Sequence, residues 1–367
     1  MDISQLDTPA LIVDLDVMQK NMRAMQRRVD ELGLALRPHT KAHKIPAIAQ
    51  MQIDAGAMGI CTAKLGEAQV MAEGGIQDIL ITTPIASPKK IQRLIAMHQQ
   101  HPECRFIQVI DHSYHVTEIA RAARAAGLVV QLMIEVESGQ QRCGVEVGDE
   151  LVGLIEAIQA TDGVNYAGIQ AYSGHLQHIK GYEHRNTQAR SAVLSVFEFI
   201  DNVLMPKGLE PSIVSGGGTG TYAAYQGLGF TEIQAGSYLF MDAAYQVIGD
   251  ENSDTSNHQF AAALKVLSTV ISMPNDKRAV IDAGMKCLSI DLGMPKVEKS
   301  DAIRYQTGGD EHGILHLEDS SLLELGQQIT LIPSHCDTTL NNFDTLYAVQ
   351  DGQVVETWTI EGRGRSD

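Results

Sequence analysis

From about residue 20 to 240, short apolar runs alternate with longer amphipathic stretches, and this alternation narrows the possible folds more than any other feature of the chain. The strand-like runs fall at 34–37, 57–61, 78–82, 106–110, 129–135, 166–171, 212–215 and 232–234. Between them, 65–73, 89–98, 114–126 and 149–160 repeat apolar residues every three or four positions, the period of a helix buried along one face. Gly75, Gly127 and Gly163 stand where such helices would stop. Eight βα units of this length are what a (β/α)8 TIM barrel needs. A doubly wound open sheet is the alternative, but no GxGxxG follows the first strand. The expected fold class is α/β.

After about residue 245 the texture changes. Runs at 266–272, 278–281, 313–317, 328–332, 346–350 and 353–360 read as β, with turn residues between them and almost no helical period. The expected organisation is a barrel over 19–244 followed by an all-β domain over 245–367. The run 10–14 either joins that β domain, with the rest of 1–18, or leads into the barrel. The Gly/Arg tail at 362–367 is expected to fray.

A chain of 367 residues has room for both parts. Its net charge of −17 argues against nucleic acid or an anionic membrane surface as a partner. No apolar run nears the roughly 18 residues of a membrane span. Met1-Asp2-Ile3-Ser4-Gln5 lacks a basic-then-apolar leader, so a cytoplasmic location is expected. The five cysteines are scattered and form no CxxC pair, which suits neither a disulfide framework nor a structural zinc site.

In such a barrel the active site lies at the C-terminal ends of the strands. Polar and reactive residues collect there. Arg37-Pro38-His39-Thr40-Lys41-Ala42-His43-Lys44 follows the first strand, crowding lysines and histidines where burial of charge is costly unless it is used. Glu137-Ser138-Gly139-Gln140-Gln141-Arg142-Cys143-Gly144 follows the fifth, and Tyr172-Ser173-Gly174-His175-Leu176-Gln177-His178 the sixth. Gly216-Gly217-Gly218-Thr219-Gly220-Thr221 follows the seventh, and Ala235-Gly236-Ser237-Tyr238 the eighth. Loops after strands seven and eight commonly cradle phosphate, and the glycines let backbone N–H groups approach an anion while Thr219 and Thr221 add hydroxyls. A phosphate cradle opposite an amine nucleophile points to pyridoxal phosphate, with Lys41 holding its aldehyde. Arg142 either tunes the pyridine ring or pairs with a substrate carboxylate. Tyr172 either stacks on the ring or hydrogen-bonds the phosphate, unless it merely packs the barrel top.

These segments, together with Asp7-Thr8-Pro9-Ala10, Gln234-Ala235-Gly236-Ser237-Tyr238 and Pro333-Ser334-His335-Cys336-Asp337, resemble the alanine racemase-like, fold type III pyridoxal phosphate enzymes. Within them the likeness is to the D-threonine aldolase/D-serine dehydratase family. It implies Lys41 rather than Lys44 as the cofactor lysine. It also implies cofactor contacts from Gln234, Gly236, Ser237 and Tyr238, a divalent metal, and a homodimer in which the β domain of one subunit lies near the other's barrel mouth.

The expected metal ligands are His335 and Asp337, which on a strand would share one face while Cys336 points away. Two protein ligands leave positions open for water and substrate. Dehydratases of the family resemble a His-x-Cys pattern and aldolases a His-x-Asp pattern. An imidazole–carboxylate pair suits Mn²⁺, Mg²⁺ or Ca²⁺, whereas a thiolate would favour Zn²⁺. A bulge in the strand would turn Cys336 inward and reopen the choice.

The resemblance thus implies retro-aldol cleavage of a D-3-hydroxy-α-amino acid to glycine and an aldehyde. His178 is the candidate base, by its place after the sixth strand and by likeness to aldolases carrying QAY…QH; His175 competes. The rivals are dehydration of D-serine or 3-hydroxy-D-aspartate, racemisation, and a non-catalytic pyridoxal phosphate carrier.

Overall fold

The computed structural model describes residues 1–367, with the side chain of every residue except Ser320. The chain divides into two units: Met25–Gly236 with Arg365–Asp367, and Met1–Ala24 with Ser237–Gly364. After β1 (Ala10–Asp14) and α1 (Leu15–Glu31), the first unit carries eight strands: β2 (Ala35–Leu36), β3 (Ile60–Thr62), β4 (Asp78–Ile81), β5 (Arg105–Ile110), β6 (Val130–Glu135), β7 (Val164–Ala171), β8 (Ile213–Gly216) and β9 (Glu232–Ile233). All pair in parallel, in the order β2-β9-β8-β7-β6-β5-β4-β3. The two ends meet through a single parallel bridge, His39 to Cys61, flanked by Met58 N–H donating to Leu36 O (2.9 Å) and Cys61 N–H to Pro38 O (2.8 Å). The sheet therefore closes into the expected barrel.

Six helices connect the strands: α2 (Pro46–Asp54), α3 (Leu65–Glu73), α4 (Pro88–Gln100), α5 (Ser113–Ala125), α6 (Asp149–Gln159) and α7 (Tyr182–Phe199). Proline occupies the first turn of α2 and α4, where a missing N–H costs nothing. Gly127, at φ 69°, lets the chain leave α5 while Leu128 N–H reaches back to Ala123 O (2.9 Å). Inside the barrel Cys61, Leu80, Ile107, Val109, Met133, Ala167 and Ile213 pack as one buried cluster. Near the N-terminal ends of the strands, the fully buried Arg37 spans the barrel, with Nε 2.8 Å from Glu232 Oε1 and Nη1 2.6 Å from Asp78 Oδ1.

The second unit is a sheet of nine strands. They are β1, β10 (Leu264–Asn275), β11 (Arg278–Ile281), β12 (Lys296–Val297), β13 (Ile303–Thr307), β14 (Gly313–Leu317), β15 (Gln328–Ile332), β16 (Thr345–Gln350) and β17 (Gln353–Thr359). Strand β1 lies between β10, antiparallel, and β16, parallel, so 10–14 joins the β domain. β12 and β13 were not foreseen. β13 buries only Ile303 and Tyr305 between charged and polar neighbours, which leaves little apolar signal in the sequence.

Two expectations are corrected here. The tail does not fray at its end: Asp367 O accepts Gly66 N–H (2.9 Å) and its carboxylate pairs with Arg93 (2.6 Å). His335-Cys336-Asp337 is not on a strand. β15 ends at Ile332, and the segment turns into a five-residue helix, α8 (Cys336–Leu340), with extended His335 as its N-cap.

Candidate active site

In the barrel unit, Lys41 is held by the backbone around it. His39 N–H donates to Ala235 O (3.0 Å), and the turn Thr40–Ala42 tightens so that Lys41 N–H donates to His39 Nδ1 (3.3 Å). A ring nitrogen accepting a backbone N–H must leave its proton on the other nitrogen, so Nε2 donates to Thr82 Oγ1 (3.3 Å) and Thr82 Oγ1 to Thr62 O (3.0 Å). Burial, then the charges of Lys41, His43 and Arg142, hold the His39 imidazole well below its usual range and hence neutral. His43 is buried and structural: Nδ1 accepts Ile45 N–H (3.1 Å), and Nε2 lies 3.2 Å from Gln52 Oε1. Lys41 and Lys44 are half-buried. Behind them Glu67, fully enclosed, takes the Thr40 hydroxyl at 2.5 Å; burial raises its carboxyl against the pull of that bond and of Lys44 and Lys41.

The loop after β6 is laced to its neighbours. Gly144 N–H donates to Asp111 Oδ2 (3.1 Å), and Gly174 N–H donates to Gln140 Oε1 (3.0 Å). It carries Arg142 over the Tyr172 ring, 5.7 Å from the centroid, with Nη2 3.6 Å from Glu135 Oε1. Glu135, the last residue of β6, is buried. Burial pushes its carboxyl up to about 7, opposed by Arg142 and reinforced by Asp111.

Gly216–Thr221 is not a flexible loop; every residue in it is buried. Gly220 N–H donates to Gln177 Oε1 (3.0 Å), and Gln177 Nε2 donates to Thr221 Oγ1 (3.0 Å). A Cβ at Gly216 would strike Ala171 O, and one at Gly220 would strike Gln177 O, so both positions require glycine for close backbone approach. Gln234 Nε2 donates to Gln170 Oε1 (3.0 Å) and Ser215 Oγ (2.8 Å), while Gly236 passes over His39 O. His178 is half-buried and His175 exposed, its ring near the Cβ direction of Gly139.

The barrel interior fits a polar occupant. His39, Thr62, Thr82, Gln108, Glu135, Gln170, Ser215 and Gln234, one for each strand and within three residues of its C-terminal end, make a polar belt. Within it Gln108 Oε1 and Thr62 Oγ1 are buried without a hydrogen-bond partner. Behind the glycine turn the Tyr225 hydroxyl lies near Thr221 and Ser173 without meeting either in hydrogen-bond geometry. Such groups are expensive to leave dry, and a phosphorylated, oxygen-rich cofactor with its waters answers the need.

In the β unit, Ser237 and Tyr238 open a short 3₁₀ turn, and Tyr238 is fully buried, tilted on Phe260 with ring centroids 5.9 Å apart. Cys336 N–H donates to Asp242 Oδ2 (3.2 Å), and its thiol donates to Met241 O (3.2 Å). The thiol is fully buried with its proton aimed at Met241 O, and burial, with Asp242 and Asp337, raises it well above its usual range. His335 Nδ1 lies 2.7 Å from Asp291 Oδ2. Both His335 and Asp337 act on the buried Asp242: burial pushes its carboxyl up to about 6, His335 pulls it down, and the charge of Asp337 pushes it higher. Among the described residues no three or more His, Cys, Asp or Glu side chains are grouped so as to hold a metal ion. His335 and Asp337 would hold an ion only as a two-ligand site completed by water or substrate.

Glu67, Glu135, Gln177, Asp242 and Asp291 were missed by sequence reasoning. Glu135 alone had a signal, as a carboxylate closing an apolar barrel strand.

A closed parallel barrel with a lysine-bearing turn at its mouth, joined in the chain to a mainly antiparallel sheet, defines the fold type III pyridoxal phosphate class. Residues 13–244 match the alanine racemase N-terminal domain family, and 263–349 match the putative serine dehydratase domain family. The chain is 37% identical to a D-threonine aldolase of Arthrobacter sp, covering 99% of this chain and 94% of that protein. It is 35% identical to a 3-hydroxy-D-aspartate aldolase of Paracoccus denitrificans (strain Pd 1222), covering 100% and 94%. The crystal structure of D-threonine aldolase from Filomicrobium marinum superposes with a TM-score of 0.94 at 36% identity, covering 99% of this chain and 98% of that one. The chain belongs to the D-threonine aldolase/D-serine dehydratase-like family.

Proposed function

We propose that this protein is a carbon–carbon lyase cleaving D-3-hydroxy-α-amino acids, D-threonine among them, to glycine and an aldehyde with pyridoxal phosphate and a divalent metal. The observation that carries the aldolase reading is the Cys336 thiol, turned onto Met241 O, which leaves an imidazole and a carboxylate as the ligand pair. Nitrogen and oxygen donors favour Mn²⁺, with Mg²⁺, Ca²⁺ or Zn²⁺ as substitutes.

Lys41 would hold the cofactor's aldehyde, and the Gly216–Thr221 turn with Gly236, Ser237 and Tyr238 would receive its phosphate. Arg142, braced by Glu135 and Tyr172, would meet the ring or the substrate carboxylate, and Gln234, tied to Gln170 and Ser215, would line the cofactor site. Bound pyridoxal phosphate supplies an electron sink for the Cα–Cβ bond pair. His335 and Asp337 would hold the metal, whose chemistry is Lewis-acid binding of the β-hydroxyl. His178 takes the proton of the β-hydroxyl, whose oxygen forms the aldehyde C=O as the Cα–Cβ bond breaks, and Cα takes up one proton in return, so that glycine and the aldehyde balance the substrate. The cofactor residues up to Gly236 are assigned to the barrel unit, and Ser237, Tyr238 and the metal ligands to the β unit, in a homodimeric, cytoplasmic enzyme. Among the described residues no helix is long and apolar enough to cross a membrane.

Incubation with D-threonine, D-serine and 3-hydroxy-D-aspartate, with and without Mn²⁺, tests the reading. Glycine formed only with metal supports it; ammonia and a 2-oxo acid overturn it in favour of dehydration.

A further inference from the structure

We propose that Asp291 is the positioning residue of the metal site: it fixes the tautomer and orientation of His335 so that Nε2 is the nitrogen presented to the ion. This rests on the reading of His335 as a metal ligand. An ionised carboxylate has no proton to give, so the 2.7 Å contact between Asp291 Oδ2 and His335 Nδ1 requires the proton on Nδ1. A neutral imidazole then has its lone pair on Nε2. A metal-bound histidine typically gives its second nitrogen's proton to such an acceptor, which raises the basicity of the ligating nitrogen and stops the ring from turning.

Asp291 is itself held before any ion arrives. Its other oxygen, Oδ1, accepts the hydroxyls of Ser289 (2.6 Å) and Thr338 (3.1 Å), one from its own loop and one from the first turn of α8. That loop is fastened to the His335 segment independently: Ser334 Oγ donates to Ser289 O (2.8 Å), and Ser289 N–H donates to Thr339 Oγ1 (3.1 Å). The carboxylate is therefore aimed by five hydrogen bonds, counting its own to His335, rather than by chance proximity. The α8 backbone alone does not do this, because His335 is an N-cap in extended conformation and its side chain makes no capping bond.

The role predicts an unusual ranking of variants. D291A frees the ring and weakens Mn²⁺ binding to the cofactor-loaded protein by about 10–100-fold, read by isothermal titration. D291N keeps an oxygen able to accept the Nδ1 proton, and its amide can donate to the Ser289 and Thr338 hydroxyls, so it stays within about threefold of the parent. S289A, a milder change away from the ring, weakens binding a few-fold and serves if D291A does not fold. Nitrogen-15 spectra of the His335 ring in the metal-free protein report one tautomer in the parent and in D291N, and a mixture in D291A. Equal Mn²⁺ affinity of D291A and the parent, while H335A loses the ion, overturns the role alone. Equal affinity of H335A and the parent overturns the metal site and this role with it. D291N as weak as D291A also overturns it, since charge rather than orientation would then be operating.

Discussion

Glu135 Oε1 lies 3.6 Å from Arg142 Nη2 at the barrel mouth, a buried carboxyl facing an exposed guanidinium. Asp111 and Glu137 face the same carboxyl and oppose its ionisation, and burial is the larger cost. Its proton is held to about 7 in the folded protein against an ordinary value of 4.5. Between those values the folded state binds more protons than the unfolded one, so stability falls as pH rises through the window and stays lowered above it. In the cofactor-free protein the melting temperature of E135Q should match the parent near pH 4.5 and exceed it above pH 7. A gap that does not change with pH would remove Glu135 as the titrating group.

Arg37 carries the second prediction. Its side chain and that of Glu232 are out of solvent, and Arg37 Nη2 and Glu232 Oε2 already lack partners. R37M would strand the Glu232 charge in the barrel, at a cost of about 3–5 kcal/mol in urea unfolding. R37M/E232Q should recover a large part of the loss. If the double variant is no more stable than R37M, packing rather than the stranded charge sets the cost.

Cys336 tests the ligand pair directly. C336A removes a thiol bound to Met241 O, so it should cost about 1–2 kcal/mol of stability and leave Mn²⁺ affinity within twofold. D337A should abolish Mn²⁺ binding. Loss of metal in C336A with retention in D337A would reverse the assignment and favour dehydration chemistry.

Gly220 tests the phosphate turn. An added Cβ meets the Gln177 carbonyl, which is main chain and cannot swing aside. Overpacking of this kind costs about 1–3 kcal/mol, so G220A should bind pyridoxal phosphate roughly tenfold more weakly, measured by titrating the cofactor into depleted protein. Unchanged affinity would place the phosphate elsewhere.

The barrel strands were most legible at β4, β5 and β6, buried apolar runs bounded on both sides by a helical period, while the two-residue β9, Glu232–Ile233, was legible only from its place in the alternation. The segments ending in Lys41, Arg142 and Thr221 followed from the rule that barrel strands end at the active site. What local pattern missed was long-range pairing. Glu67 behind Thr40, Gln177 under Gly220 and Asp291 beside His335 meet across 27, 43 and 44 positions of chain. No period or motif records those meetings. The His335–Asp337 segment was misread for the same reason: three residues look equally like a strand or a helix start, and only Asp242, taking the Cys336 N–H, and Asp291, holding the His335 ring, settle it as a turn.

The chain's own order of residues thus determined the barrel, the β domain and the lysine turn, since these rest on short-range periodicity and the chemistry of side-chain types. Tertiary structure decided that residues 10–14 complete the β sheet, that the Cys336 thiol is turned onto Met241 O, and that His335 and Glu135 each have a fixed partner. Those outcomes depend on which distant groups burial brings together, and burial is a property of the whole fold.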